Sequence, residues 1–172
     1  MAIVVEDGSG SNPLANSYAS VQDLRDYAAL TGYSALPVDD LECEPLLINA
    51  MSVIEAECYK GERTYSFQPL TFPRTGLTND GVDYPSDEIP AWLRDAQCSY
   101  AITGNETALY ANTPAGSPTG TIIEETVVGA VSVKYSDGGS TVSPVTKDPR
   151  AESLLSPFYC FGVGGFGIGI RV

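Results

Sequence analysis

The chain has 172 residues and a mass of 18.2 kDa, the size of one ordinary domain, which leaves little room for a two-domain enzyme. Twenty-two acidic and nine basic side chains give a formal net charge of -13, which disfavours electrostatic binding to a phosphate backbone. There is no histidine, which excludes imidazole as a general base, the triads that depend on it and most catalytic zinc sites.

The N-terminal third predicts an arm followed by two helices. Residues 1–19 form the arm, because a short apolar stretch gives way to glycine, serine and asparagine, and the basic region of a signal peptide is missing. A first helix is predicted over 20–31, where Ser20 and Asp23 can form a capping box and Gly32 marks the end.

The second helix, predicted over 40–60, carries the clearest helical pattern in the sequence. Asp39 or Asp40 can cap it, Pro45 allows a later start, and Gly61 marks its end. One apolar stripe runs along it and must pack against other elements: Leu47, Ala50, Met51, Ile54 and Cys58.

Residues 66–86 predict a long structured connection. They contain too many prolines and glycines for a regular element, and loops of this length are typically functional or disordered. Several large apolar side chains indicate a packed loop: Phe67, Leu70, Phe72, Leu77 and Tyr84.

A third helix is expected to open near residues 87–90, with acids and a proline in its first turn, and to end near Gly104 or a turn later. Its inward face would carry Ile89, Leu93, Ala96 and Tyr100, with Trp92 beside them.

The C-terminal third predicts a β-arm, a short helix and an apolar tail. Residues 121–135 are rich in β-branched residues around Gly129, which favours a hairpin. Asp148 and Pro149 start a short helix that Pro157 ends. From Phe158 onward, glycines alternate with aromatic and aliphatic residues, a composition that needs a partner surface.

The predicted fold is therefore mainly α: a small bundle of three longer helices and a short C-terminal one, with a β-hairpin arm and extended terminal arms. Its expected divisions are 1–19, a helical core over 20–110 with the loop at 66–86, the β-arm over 111–147, and 148–172.

No catalytic, cofactor or metal site emerges from the motifs. Residues 162–167 match Gly-x-Gly-x-x-Gly, but only five residues follow, so the helix and acid of a dinucleotide site are missing. Most of the acidic pairs stand at predicted helix starts or in the arm, where capping and solvation explain them. We therefore expect neither an enzyme nor a bound cofactor.

The four cysteines lack a Cys-x-x-Cys pair, so buried free thiols and synthesis in a reducing cytoplasm are expected. No apolar run approaches the roughly 18 residues that would span a bilayer, so no membrane partner is expected.

A series of short motifs resembles the head-tail connector, or adaptor, proteins of tailed bacteriophages, a family whose members often carry the label DnaT-like single-stranded-DNA-binding protein. The matching segments lie between residues 6 and 158: Glu6-Asp7-Gly8, Ala15 to Ser20, Tyr59-Lys60-Gly61, Gln68 to Gly76, Asp87 to Pro90, the valine-rich arm ending at Tyr135, and Leu154-Leu155. Phe72 replaces the family's usual tryptophan, and the tail after Phe158 lies outside the pattern.

The resemblance implies a structural virion protein, made in the host bacterial cytoplasm and located at the head-tail junction. Copies would form a ring, usually twelvefold, beneath the portal protein. The ring would extend the DNA channel and present a surface to tail proteins of the nozzle, stopper or terminator type. Double-stranded DNA would cross the lumen without specific binding, which an acidic lining favours.

The side chains predicted to contact neighbouring subunits, portal or tail lie in the loop, the β-arm and the C-terminal segment. For Arg74, a bridge to a neighbour's carboxylate and a bridge within its own subunit are both open. The tail aromatics could equally cover the bundle's own core. The full set is Arg74, Glu124, Val127, Val131, Leu154, Leu155, Phe158, Tyr159, Phe161, Phe166, Ile168 and Ile170.

Two other functions remain open. Ten tyrosines and five phenylalanines could stack on the bases of single-stranded DNA, although the nine basic residues are scattered along the chain. A hydrolase built on a carboxylate pair would use Asp87 or Glu88.

Overall fold

The computed structural model describes residues 2–110 and 145–160, together with the backbone of two strands, Ile122–Val127 and Val131–Tyr135. The protein is mainly helical with a small β-hairpin, which confirms the predicted fold class. Two compact units make up the chain: Met1–Leu109 with Lys147–Val172, and Tyr110–Thr146.

The first helix follows its sequence signals. Helix α1 spans Val21–Thr31 and begins with the predicted capping box, in which Ser20 and Asp23 each bind the other's backbone N–H. Gly32 ends it in the left-handed conformation with φ of 74°, and its N–H donates to the carbonyls of Ala28 and Ala29.

Helix α2 spans Asp40–Glu55 and starts where Asp39 caps it. Pro45 does not delay its start, because the missing N–H costs the helix only one hydrogen bond near its first turns. The helix ends before the predicted residue 60, since the chain turns at Ala56 and Tyr59 then pairs with Tyr159 in an isolated antiparallel bridge.

Helix α3 spans Ala91–Glu106, so it starts later than predicted and ends later than Gly104. Pro90 occupies the N-cap position, and its backbone is extended. A proline also favours extended backbone at the residue before it, which here is Ile89. Asp87 and Glu88 are consequently exposed outside the helix, and their predicted place in its first turn is wrong.

Helix α4 spans Pro149–Leu155, as predicted, and continues as a single 3-10 turn over Ser156–Phe158. It packs on α3, which also packs on α1 and α2, so α3 is the centre of the helical unit. The largest fully buried apolar side chains of this unit are Tyr18, Tyr100, Phe72, Leu24, Leu47, Ile54, Leu77, Leu93 and Leu155.

The connection between α2 and α3 contains short strands that the sequence did not predict. Strand β1 (Glu62–Arg63) pairs with β2 (Arg74–Thr75), and β3 (Thr78–Asn79) pairs with β4 (Val82–Asp83), both antiparallel. Each strand has only two residues, so no periodicity could reveal them.

The N-terminal segment is folded onto the helices rather than extended from them. Val5 forms an isolated parallel bridge with Ser17, and Tyr18 and Ala19 are completely buried. The carboxylate of Glu6 is also buried, where its Oε1 accepts hydrogen bonds from the N–H groups of Gly8 and Gly10 at 3.0 Å each.

The second unit contains the predicted hairpin. Strands β5 (Ile122–Val127) and β6 (Val131–Tyr135) are antiparallel, with an irregularity in the pairing between Ile122 and Glu124. Tyr110 and Val145 form an isolated antiparallel bridge within the same unit.

The cysteines differ in part from prediction. Cys43 and Cys98 are buried and free, as expected, and burial raises the pKa of the Cys98 thiol to about 12. Cys58 and Cys160 instead form a disulfide across 102 residues, which the sequence analysis had wrong because the pairing depends on the tertiary fold. The disulfide holds the end of the described chain beside the residues that follow α2.

Candidate interaction surfaces

Arg74 binds backbone carbonyls of its own chain. Its Nε donates to the carbonyl of Lys60 at 2.7 Å, and its Nη2 donates to those of Tyr59 at 3.0 Å and Gly61 at 2.5 Å. Burial of the guanidinium lowers the pKa of Arg74 from its usual value. Of the two roles that the sequence left open, these contacts match a bridge within the subunit, although the acceptors are carbonyls and not a carboxylate.

Three other basic side chains of the described region also bind groups of their own chain. Arg25 forms an ion pair with Asp40 at 2.6 Å, and the Nζ of Lys60 donates to the carbonyl of Pro157 at 2.7 Å. Lys147 bridges the carboxylates of Glu57 and Glu152.

Three described arginines, Arg63, Arg94 and Arg150, are exposed and make no side-chain hydrogen bond or ion pair with the rest of the described chain. Arg94 lines a cavity of about 320 Å³ together with four acids, Glu6, Asp7, Asp23 and Glu88. Among the residues described, the basic side chains therefore form no continuous groove of the kind that follows a nucleic-acid backbone.

Most of the described aromatic side chains pack against one another inside the helical unit. Trp92 stacks on Phe158 with 4.0 Å between ring centroids and an interplanar angle of 5°. Phe72 contacts Tyr59 edge to face at 4.9 Å between centroids. The rings that could stack on bases are therefore mostly used in the core, and only Phe67 and Tyr110 are exposed aromatics in the described region.

Phe67 contradicts the prediction of a fully packed loop. Leu70, Phe72 and Leu77 are buried as expected, but the side chain of Phe67 is 90% exposed. Its neighbour Gln68 is buried and fixes the local backbone, accepting from the N–H of Tyr65 at 2.9 Å and donating to the carbonyls of Leu70 and Pro73.

A second apolar surface lies along α2, on residues other than the buried ones of that helix. It is a groove of about 400 Å³ whose wall is mainly aliphatic, and Leu41 within it is 70% exposed. We call it the α2 groove; its lining residues are Asn16, Leu41, Glu44, Pro45, Ile48, Asn49 and Met51. Exposed apolar surface concentrated in one place typically marks an interaction site.

The predicted interface residues of the C-terminal segment are divided between the core and its edge. Leu155 and Phe158 are buried in their own chain, which for Phe158 matches the alternative that it covers the bundle core. Leu154 and Tyr159 are half-buried, and the Tyr159 hydroxyl donates to Glu152 at 3.1 Å. Phe161, Phe166, Ile168 and Ile170 lie outside the described residues.

The predicted contacts of the β-arm are described only through the backbone. Glu124 and Val127 belong to β5 and Val131 belongs to β6, as the pattern indicated. Their side chains lie outside the described part of the chain, so their roles remain predictions.

The sequence did not predict two polar residues that bind distant backbone, the buried Gln97 and the half-buried Glu55. The Gln97 carbonyl oxygen accepts from the N–H groups of Tyr18 and Ala19, both at 2.9 Å. The Glu55 carboxylate accepts from the Tyr18 hydroxyl and from the N–H of Thr71. Gln97 falls four residues after Leu93 on the inward stripe of α3, and a glutamine at such a position was the available signal.

Clusters of three or more histidine, cysteine or acidic side chains able to hold a metal ion are not found among the described residues. No helix in the described ranges is long and apolar enough to cross a membrane.

A family model described as "Putative DnaT-like ssDNA binding protein" covers residues 1–172. No curated protein and no solved structure matches the chain.

Proposed function

The chain belongs to this DnaT-like family, and from that premise we propose that it is a structural virion protein, the head-to-tail adaptor of a tailed bacteriophage. In this role, copies of the chain form a ring beneath the portal protein. The ring lengthens the DNA channel and gives the tail proteins a surface for attachment. The proposal includes no enzymatic activity, and places the protein at the head-tail junction of the virion.

The observation that carries this proposal is that several basic side chains are already bound to groups of their own chain. Four basic side chains bind carbonyls or carboxylates of their own chain: Arg25, Lys60, Arg74 and Lys147. The chain as a whole has a net charge of -13. A protein that must let DNA pass without holding it benefits from this arrangement, because exposed acids repel the phosphate backbone.

Three further features support an assembly role. The motif series between residues 6 and 158 resembles connector proteins, and the exposed apolar surfaces at Phe67 and the α2 groove are suited to contacts with other protein chains. The hairpin β5–β6 also belongs to a compact unit of its own, and such units can supply interface by strand addition.

The test is electron microscopy of the chain mixed with the portal protein encoded near it, beside portal alone. We expect an additional ring layer stacked on the portal. Bare portals at saturating concentrations of the chain would contradict the adaptor role.

The family description favours a second candidate, binding of single-stranded DNA. On the described residues, such binding would have to use the unpaired Arg63, Arg94 and Arg150, with Phe67 available to stack on a base. Anisotropy titration of a labelled oligonucleotide would detect it as tight binding that weakens as salt rises.

The matched variant for this second candidate replaces the three arginines with glutamate. If the wild type binds the oligonucleotide tightly and the triple variant does not, binding of single-stranded DNA replaces the adaptor role as the proposed function. Undetectable wild-type binding at low salt would remove this candidate, because electrostatic contacts are strongest under that condition.

A further inference from the structure

We propose that Phe67 of one copy of this chain inserts into the α2 groove of a second copy, so that the two surfaces form a head-to-tail contact. This inference rests on the proposed function in one respect, since a ring requires contact between copies. It adds which residues make that contact.

Phe67 has the properties of an interface anchor. Its side chain is 90% exposed, although a large aromatic ring gains most from burial. The backbone on either side is fixed, because the Oε1 of Gln68 accepts from the N–H of Tyr65 while its amide donates to the carbonyls of Leu70 at 2.8 Å and Pro73 at 3.0 Å. An aromatic ring on a rigid loop loses little conformational freedom when it binds.

The α2 groove has the size and chemistry to receive such a ring. Its volume of about 400 Å³ exceeds that of a phenylalanine side chain, and Leu41, Pro45, Ile48 and Met51 provide an aliphatic wall. Pro45 also lacks the N–H that would normally bind the Leu41 carbonyl within the helix. Burial of an aromatic ring among aliphatic side chains is the arrangement found at the centre of protein interfaces.

The charges beside the two surfaces are complementary. Arg63, four residues before Phe67, is exposed and has no ion-pair partner among the described residues. Glu44 lines the α2 groove, and Glu42 is exposed on the same helix. An arginine carried on the Phe67 loop of one copy could therefore pair with these carboxylates on the other, which favours a second copy as the occupant.

The contact joins two different surfaces, because Phe67 does not line the groove. Such heterologous contacts leave one free Phe67 and one free groove at the two ends of every dimer, so association continues until a ring closes or a filament grows. A symmetric dimer would instead use the same surface on both copies.

The test exploits this asymmetry with two variants. Phe67→Asp removes the anchor, and Leu41→Asp places a charge in the groove at a position near the helix start where an acid suits the helix dipole. In sedimentation velocity, each variant alone should be monomeric at protein concentrations where the wild type associates. An equimolar mixture should form dimers and nothing larger, because only one intact pair of surfaces remains.

The control is Leu30→Asp, which places the same charge at another exposed leucine, 87% exposed, on α1. It should associate like the wild type, whereas Phe67→Asp should weaken association by roughly thirtyfold or more, as expected when an aromatic anchor is lost. Circular dichroism of every variant confirms that each is folded.

Several outcomes would overturn the proposal: a monomeric wild type, equal loss in the Leu30 control, or no dimers in the mixture. If truncation after Cys160 abolishes association while Phe67→Asp does not, residues 161–172 occupy the groove instead. The adaptor role is judged separately by portal binding. If Phe67→Asp forms complete ring layers on portals, the proposed contact of Phe67 is wrong, and the adaptor function still holds.

Discussion

The helical core and the connection between α2 and α3 are stabilised by different contacts. In the core, apolar side chains from all four helices exclude water, as Leu24, Leu47, Leu93 and Leu155 show by their complete burial. In the connection, polar side chains bind the backbone of an irregular chain. Arg74 binds the carbonyls of Tyr59, Lys60 and Gly61, and Gln68 binds those of Leu70 and Pro73.

The difference explains how a loop rich in proline and glycine can be fixed in place. A chain without long strands or helices must satisfy its backbone groups by other means, and long side chains with several donors do so efficiently. Phe67 is exposed on this fixed loop, whereas the leucines of the core are buried. The connection is therefore the part of the unit suited to display an anchor.

The largest effect is expected where the two regions meet. Phe72 belongs to the connection but is completely buried, with its ring edge to face against Tyr18 and Tyr59. Phe72→Ala should lower the free energy of unfolding by about 3–5 kcal/mol, because it leaves a cavity in the core. Urea denaturation measures the loss, and the control Phe67→Ala should change stability by no more than about 0.5 kcal/mol.

If both variants unfolded at the same urea concentration, the connection would not be packed against the core. Phe72 would then not be the residue that joins the connection to the core.

The next effect tests a polar contact inside the core. The amide of Gln97 satisfies the N–H groups of Tyr18 and Ala19 and donates to Ser17 and to the carbonyl of Leu47. Gln97→Leu keeps a side chain of similar volume but leaves these groups without a hydrogen-bond partner. We therefore expect the free energy of unfolding, measured by heat or urea, to fall by about 3 kcal/mol.

The matched control for this variant is Gln22→Leu. Gln22 is exposed on α1, where its amide donates only to Asp26. Its change should stay within about 0.5 kcal/mol. A Gln97 variant as stable as the control would mean that water replaces the lost hydrogen bonds.

The sequence predicted the features that depend on local chemistry. The capping box at Ser20, the cap at Asp39 and the short helix starting at Asp148–Pro149 each follow from residues a few positions apart. Helical spacing also predicted part of the inward stripes, since Leu47, Ala50 and Ile54 on α2 are buried, as are Leu93, Ala96 and Tyr100 on α3. Cys58 and Ile89 were assigned to these stripes but lie outside the two helices.

What the sequence could not predict depends on contacts between distant segments. The disulfide joins residues 102 positions apart, and Gln97 accepts from backbone N–H groups 79 and 78 positions away. Phe67 and Phe72 look alike in a loop without periodicity, so only the fold shows which ring is exposed. The α2 groove shares this limit, because Met51 was assigned to the core stripe and instead lines the groove beside Leu41 and Pro45.

A smaller effect tests how the connection is held. Arg74→Lys keeps the positive charge but loses the planar set of donors that reaches Tyr59, Lys60 and Gly61 together. We expect a local loss of about 2 kcal/mol, since about two hydrogen bonds at about 1 kcal/mol each disappear. Limited proteolysis should show faster cleavage between residues 60 and 76, with Arg63→Lys as the control that leaves the rate unchanged.

The smallest effect concerns the start of α4, where the core uses a charged cap. The Asp148 carboxylate accepts from the N–H of Ala151 at 2.6 Å and from the hydroxyls of Ser99 and Thr103 on α3. Burial by itself would raise the pKa of Asp148, but these hydrogen bonds together outweigh it, so the pKa lies below the usual value. The folded state therefore favours the ionised cap.

The sign of the pH dependence follows from that shift. The stabilisation by Asp148 is complete above the pKa of the unfolded chain, near 3.9, and is lost as the pH falls through the lower pKa of the folded state. Asp148→Ala should cost about 1 kcal/mol at pH 7, the usual value for a lost cap. In urea unfolding between pH 7 and 2, the difference from wild type should shrink below pH 4, and Asp39→Ala at the cap of α2 shows what the loss of one exposed capping carboxylate does. A gap that stayed constant down to pH 2 would mean that the hydrogen bonds to Asp148 do not depend on its charge, and that the core, unlike the connection, uses charge only incidentally.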